Sequence, residues 1–162
     1  MNLRLDLQCA TAAQGLPTAA DCAAWITAAL AGRRARAEVT VRLVDLAEGT
    51  ELNRDYRGKD GPTNILSFQF EAPPGLTAET DLLGDLVICA PLVAREAAEQ
   101  GKAPAAHWAH LLIHGTLHLI GYDHADEAAA AEMEGLETVI LRGLGFDDPY
   151  NEINSTNDKR SI

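Results

Sequence analysis

Two periodicities divide the chain into short segments. In NLRLDLQC (2–9), Leu3, Leu5 and Leu7 alternate with polar residues, which predicts a strand. LPTAADCAAWITAALAGRR (16–34) follows, with Cys22, Trp25, Ile26, Ala29 and Leu30 at helical intervals. Thr18 with Asp21 three residues on resembles a capping box in which Asp replaces the usual Glu. EVTVRLVD (38–45) alternates again and is a second strand, and LAEGTELNRDYRG (46–58) predicts a short helix ending at Gly58. GKDGPT (58–63) is a loop by its Gly and Pro content, and NILSFQF (64–70) is a strand rich in β-formers. EAPPGLTAETD (71–81) is an exposed connection to a further strand, LLGDLVICA (82–90). Pro91 suits the first turn of a helix running to about Gln100. Pro104 opens another, which carries the histidines and stops at Gly121. A last helix, about 125–143, has Met133, Leu136 and Ile140 on one face. The chain closes with a turn and, over 151–162, a polar tail with the composition of a disordered segment. Early βαβ character followed by a helical half predicts α+β, or α/β with a small mixed sheet.

Length changes this picture little. At 162 residues the expectation is one domain with a real core, spanning residues 1–150. No run approaches the roughly 20 apolar residues of a membrane span, so a soluble cytoplasmic protein with no membrane contact is expected. Charge is more informative. The formal net charge is −11, which disfavours non-specific nucleic-acid binding. Residues 1–60 balance eight Lys/Arg against eight Asp/Glu, whereas 61–162 hold five against sixteen. An anionic ligand should therefore meet the first third, where Arg33, Arg34, Arg36, Arg54, Arg57 and Lys59 lie. The 33–36 cluster by itself reads as solvated surface. Cys9, Cys22 and Cys89 are odd in number and share no C-x-x-C spacing. They read as buried small hydrophobes in a reducing compartment and as poor metal ligands.

All five histidines lie between His107 and His124. A helix advances about 100° and 1.5 Å per residue, so His107, His110, His114 and His118 fall on one side of it. His110 and His118 are about 12 Å apart along the axis and cannot share an ion, whereas His114 and His118 are one turn apart and can. Gly121 can adopt a left-handed conformation and turn the chain back, bringing His124 to the same point. Two ligands on one turn plus a third after a glycine is the logic of a three-histidine zinc site. Three protein ligands leave a coordination position open, as in catalytic sites. His107 and His110 read as hydrogen-bonded helix residues near the site, with His110 able to reach a substrate. Trp108, Leu111, Leu112, Ile113, Leu117, Leu119 and Ile120 make this helix apolar nearly all round, which puts it in the middle of the fold.

In H-E-x-x-H enzymes the glutamate deprotonates the attacking water. Here that position is Gly115, and no carboxylate on the same turn replaces it. Asp123, beside His124, reads as an outer partner or a turn residue. Peptide hydrolysis by the usual route therefore lacks its base. A phosphodiester needs charge stabilisation more than a strong base, RNA carries its own 2′-hydroxyl, and an arginine would grip the phosphate.

HGTLHLIGYDH (114–124) matches the H-G-x-L-H-L-x-G-Y-D-H signature of the bacterial YbeY endoribonucleases. LNRDYRGKDGPTNILSF (52–68), GDLVIC (84–89), WAHLLIHG (108–115), EMEGLE (132–137) and LGFDDPY (144–150) also resemble family segments, in the family order. The resemblance implies a single α+β domain in which a central histidine-bearing helix packs between a small mixed sheet and the other helices. It implies one zinc ion per chain on His114, His118 and His124. It implies single-strand-specific RNA cleavage in small-subunit ribosomal RNA 3′-end maturation and ribosome quality control, with the small subunit and its proteins as partners. The family's functional arginine falls on Arg57, within Tyr56–Asp60. Arg57 and His114 are thus the candidate catalytic residues, and Arg57 and Lys59 the candidate RNA contacts. The chain departs from the family at Gln69, where many relatives have proline, and at Gly61, where a charged residue is common. Two alternatives stand beside this expectation: a zinc hydrolase of another substrate class, and a non-catalytic ribosome-assembly factor with a structural metal. Three imidazoles also suit nickel, copper or iron.

Overall fold

The computed structural model describes residues 1–71 and 80–150. Most of the predicted 71–81 connection and the whole predicted tail, 151–162, lie outside the described residues. The elements run β1 (Asn2–Ala10), α1 (Ala19–Leu30), β2 (Arg36–Val44), α2 (Leu46–Arg57), β3 (Ile65–Gln69), β4 (Leu82–Cys89), α3 (Ala90–Gln100), α4 (Pro104–Leu119) and α5 (Glu127–Gly143). All of them fall where periodicity predicts. The capping box forms as expected: Asp21 N donates to Thr18 Oγ1 at 3.0 Å and Thr18 N to Asp21 Oδ2 at 3.2 Å. Gly58 closes α2 in the left-handed conformation, and Pro91 and Pro104 stand in the first turns of α3 and α4.

The sheet has the order β1-β2-β4-β3. β1 and β4 lie parallel to β2, and β3 runs antiparallel to β4 at the edge. The sheet is therefore mixed and the class is α+β. One face meets α1 and α4, with α5 packed against those two helices, over a large core that includes Trp25, Ile26, Val41, Leu86, Ile88, Leu112 and Leu117. Burial of this apolar area is the main stabilising contribution. The other face is covered by α2 and the start of α3 over a smaller cluster of Val44, Leu66, Val87 and Cys89, with Leu52, Phe68 and Leu92 against it. The two clusters explain the alternation along β3: Ile65, Ser67 and Gln69 turn to α4, Leu66 and Phe68 to α2.

α4 is central, with twelve of its residues buried, His107, His110 and His114 among them. In α5 the inward column is Met133, Glu137 and Leu141, while the predicted Leu136 and Ile140 are partly buried beside it. Cys22 and Cys89 are buried as expected, but Cys9 is exposed, because it falls on the outward side of the edge strand β1.

Candidate metal centre and its surroundings

The carboxyl end of α4 and the turn after it bring three of the five histidines together. The side chains of His114 and His118 stand one turn apart, and their Nε2 atoms are 3.1 Å apart. α4 ends at Leu119, and Gly121, at a φ of 105°, reverses the chain. His124 then returns to its partners, with ring centres 5.7 Å from His114 and 5.2 Å from His118. One nitrogen from each of the three lies within 4.8 Å of the others. Zinc–imidazole bonds of about 2.0–2.1 Å in a tetrahedron require nitrogens about 3.3 Å apart, so this donor set fits a metal ion after small rotamer adjustments.

Behind His114 lies a residue whose role no local spacing reveals. Glu137 on α5 is fully buried and bridges two histidines. Its Oε2 is 2.7 Å from His114 Nδ1 and its Oε1 2.6 Å from His110 Nε2. The Tyr150 hydroxyl also donates to Oε1. Burial alone would raise the Glu137 pKa, but the hydrogen bonds from His110 and His114 outweigh it and hold the carboxyl at about 2. The carboxylate is thus the ionised acceptor, and the two ring N–H groups are donors. The same logic lowers His110, which burial keeps neutral against the pull of Glu137. With its proton on Nε2, His110 leaves an unprotonated Nδ1, and that buried atom has no partner among the described residues. His114, with its proton on Nδ1, presents the Nε2 lone pair toward His118. A carboxylate holding the far nitrogen of a histidine is the usual way such a ligand is oriented. His118 is lowered to about 4, mainly by burial and further by the neighbouring His114 and His124.

The other expectations divide. Asp123 does not touch a histidine: its Oδ1 accepts from Ala125 N at 3.1 Å, so it is a turn residue. His107 meets Glu96 at 2.8 Å and His110 meets Glu137, as hydrogen-bonded helix residues should. The Nε2 of His110 is directed at Glu137 on α5. Gly115 has a packing reason as well as a chemical consequence. A Cβ there would lie 2.7 Å from Ile65 Cδ1 and 2.8 Å from Leu86 Cδ2. The position faces the sheet, so a glutamate side chain has neither the room nor the direction to serve as a base.

Arg57 does not touch the histidines. It stands exposed at the end of α2, donates to Ser67 O at 3.0 Å and lies 5.8 Å from the centre of the Phe68 ring. β3 links it to the metal side, because Gln69 Nε2 donates to His118 O at 2.9 Å. Gln69, one of the two departures from the family pattern, thus fastens the end of β3 to the end of α4. Gly61, the other, has its carbonyl held at 2.8 Å by the buried Asn53 side chain. Lys59 is exposed in the same loop.

The fold is a mixed α+β domain that gathers three histidines at the end of its central helix, a group that could hold a metal ion. Residues 11–145 match the model of the endoribonuclease YbeY family, and the chain belongs to that family. The solution structure of TM1509 from Thermotoga maritima has the same fold, with a TM-score of 0.57 at 23% identity, over 88% of this chain and 91% of that one. Among the described residues no helix is long and apolar enough to cross a membrane.

Proposed function

We propose that the chain is a zinc-dependent, single-strand-specific endoribonuclease acting in small-subunit ribosomal RNA 3′-end maturation and ribosome quality control. Membership of an endoribonuclease family supports RNA as the substrate. The convergence of His114, His118 and His124 within 4.8 Å carries the metal-dependent part of the reading. Single-stranded ribosomal RNA, the small subunit and its proteins are the proposed partners, and the cytoplasm the proposed location.

His114, His118 and His124 would hold one zinc ion, which supplies Lewis-acid polarisation of a phosphoryl oxygen. The protein's own contribution is orientation. Glu137 fixes the tautomer and ring plane of His114. Arg57, at the end of α2 beside β3, would grip a non-bridging phosphate oxygen and steady the charge that develops on it, with Lys59 helping to hold the strand. The attacking oxygen is that of water or of the substrate's 2′-hydroxyl. Gly115 supports a phosphodiester over a peptide, because the position that carries the base in zinc peptidases has no carboxylate here and faces the sheet.

Cleavage of a labelled single-stranded RNA, its duplex and a peptide by the zinc-loaded protein tests the reading. Only the single strand should be cut. Arg57→Ala should lower kcat/KM for it by about a hundredfold or more, within the usual range for losing a charge-stabilising donor. An equally active Arg57→Ala protein would remove that residue from the reaction, and peptide cleavage would overturn the substrate class.

A further inference from the structure

A cavity of about 520 Å³ lies against the turn that ends at His124. Gly121, Tyr122 and Asp123 form one part of its lining, Glu132 of α5 another, and Arg33 and Arg34 a third. The two arginines come from the connection between α1 and β2 and belong to the basic cluster that reads as plain surface in the sequence. The fold gives them a different setting. Arg33 is half-buried, and its Nη1 donates to the carbonyls of Ala29 and Ala31 at 3.4 and 3.3 Å. Arg34 Nη1 donates to Arg33 O at 2.8 Å. Among the described residues neither forms an ion pair, whereas the nearby Arg36 meets Asp81 at 3.4 Å and Arg42 meets Glu48 at 2.6 Å. Two guanidinium groups thus line a cavity with most of their N–H donors uncommitted among the described residues.

The place of this cavity in the fold gives it a meaning. The sheet order β1-β2-β4-β3 separates Arg57, beside β3, from the start of β2, where Arg33 and Arg34 lie. The histidine turn stands between them: Gln69 at the end of β3 holds the end of α4, and Gly121–Asp123 wall the cavity. A strand gripped at Arg57 and crossing the histidines continues toward this cavity. Its chemistry suits a nucleotide better than a simple polyanion. Arginine forks match a phosphate, and the carboxylates of Asp123 and Glu132 accept from ribose hydroxyls or base amino groups.

We infer that the cavity holds a nucleotide of the single-stranded RNA flanking the bond that is cut, with its phosphate on Arg33 and Arg34. This rests on the endoribonuclease reading and adds a second anchoring point on the far side of the histidines from Arg57.

The test is the cleavage of a short single-stranded RNA by the metal-loaded wild type and by Arg33→Ala/Arg34→Ala across a salt series. KM should rise about tenfold with kcat and metal content unchanged. The dependence of log kcat/KM on log salt should become shallower by about 1.4, since each phosphate contact on a single strand contributes about 0.7. Arg33→Lys/Arg34→Lys, which keeps the charges, should recover most of the loss. If removing the Arg33 contacts unfolds the end of α1, Arg34→Ala alone should show about half the change in slope. A wild type that cuts RNA, with a folded double variant unchanged in KM and slope, overturns the cavity assignment and leaves the endoribonuclease reading intact. A raised KM with an unchanged slope overturns the phosphate contact. A wild type that cuts no RNA overturns both.

Discussion

The Nδ1 of His114 stands 2.7 Å from Oε2 of Glu137, and both side chains are buried. This pair joins α4 to α5 and leaves the other nitrogen of His114 as the one offered to a metal. Glu137→Gln keeps the size of the side chain but replaces one acceptor oxygen with a donor, which must face a ring N–H. Metal affinity should fall by about 10–100-fold, the usual cost of losing an outer partner of a histidine ligand. A competition titration with a chelating dye measures it. Unchanged affinity would show that Glu137 only packs.

Removing the carboxylate altogether has a second cost. In Glu137→Ala the ring N–H groups of His110 and His114 lose their acceptor in a buried setting. Each buried unsatisfied group costs about 1–3 kcal/mol, so the metal-free variant should be markedly less stable than Glu137→Gln. Urea denaturation of the three metal-free proteins checks the order wild type, Gln variant, Ala variant.

Gly115 gives a prediction against chemical intuition. Restoring the glutamate of zinc peptidases, Gly115→Glu, should create no peptidase, because the side chain is directed into Ile65 and Leu86 of the sheet. Gly115→Ala should already cost about 1–3 kcal/mol by overpacking. Denaturant melts of the alanine variant measure this, and a stability equal to wild type would show that β3 yields freely.

The cysteines separate by burial. Cys9 is exposed and Cys22 is fully buried. Burial, with the charge of Asp21 adding to it, pushes the Cys22 thiol from 9.0 up to about 11. Alkylation near pH 8 should therefore label Cys9 and leave Cys22 untouched until denaturant is added. The sign of the linkage follows. The folded pKa is the higher one, so this contribution to stability is complete below pH 9.0 and is lost as pH rises through about 11. The alkaline loss of stability should be shallower in Cys22→Ala.

Much of this was legible in the chain. Each strand and helix follows from period and punctuation: the leucines of β1, the Thr18–Asp21 cap and the prolines opening α3 and α4 predict elements that form. His114, His118 and His124 come together because their spacing is local, set by one helical turn and one glycine. Glu137 was not legible in that way, because its partners lie on another helix. A signal exists nonetheless: it sits four residues from both Met133 and Leu141, so a charged residue occupies the inward column of α5. The chemical consequence of Gly115 is legible in the sequence, whereas its steric cause lies in β3 and β4. The setting of Arg33 and Arg34 depends on how α1, α4 and α5 meet at one end of the sheet, which no local pattern states.

The central claim is that three histidines hold one metal ion on which RNA cleavage depends. Elemental analysis of the purified protein, with single-stranded RNA cleavage assayed before chelation, after it and after zinc is restored, tests this most directly. About one zinc per chain is expected, as for a single three-histidine site, with loss of cleavage on chelation and its return with zinc. Neither bound metal nor cleavage is expected in His118→Ala. Full cleavage by the metal-free protein, or by His118→Ala, would contradict the claim.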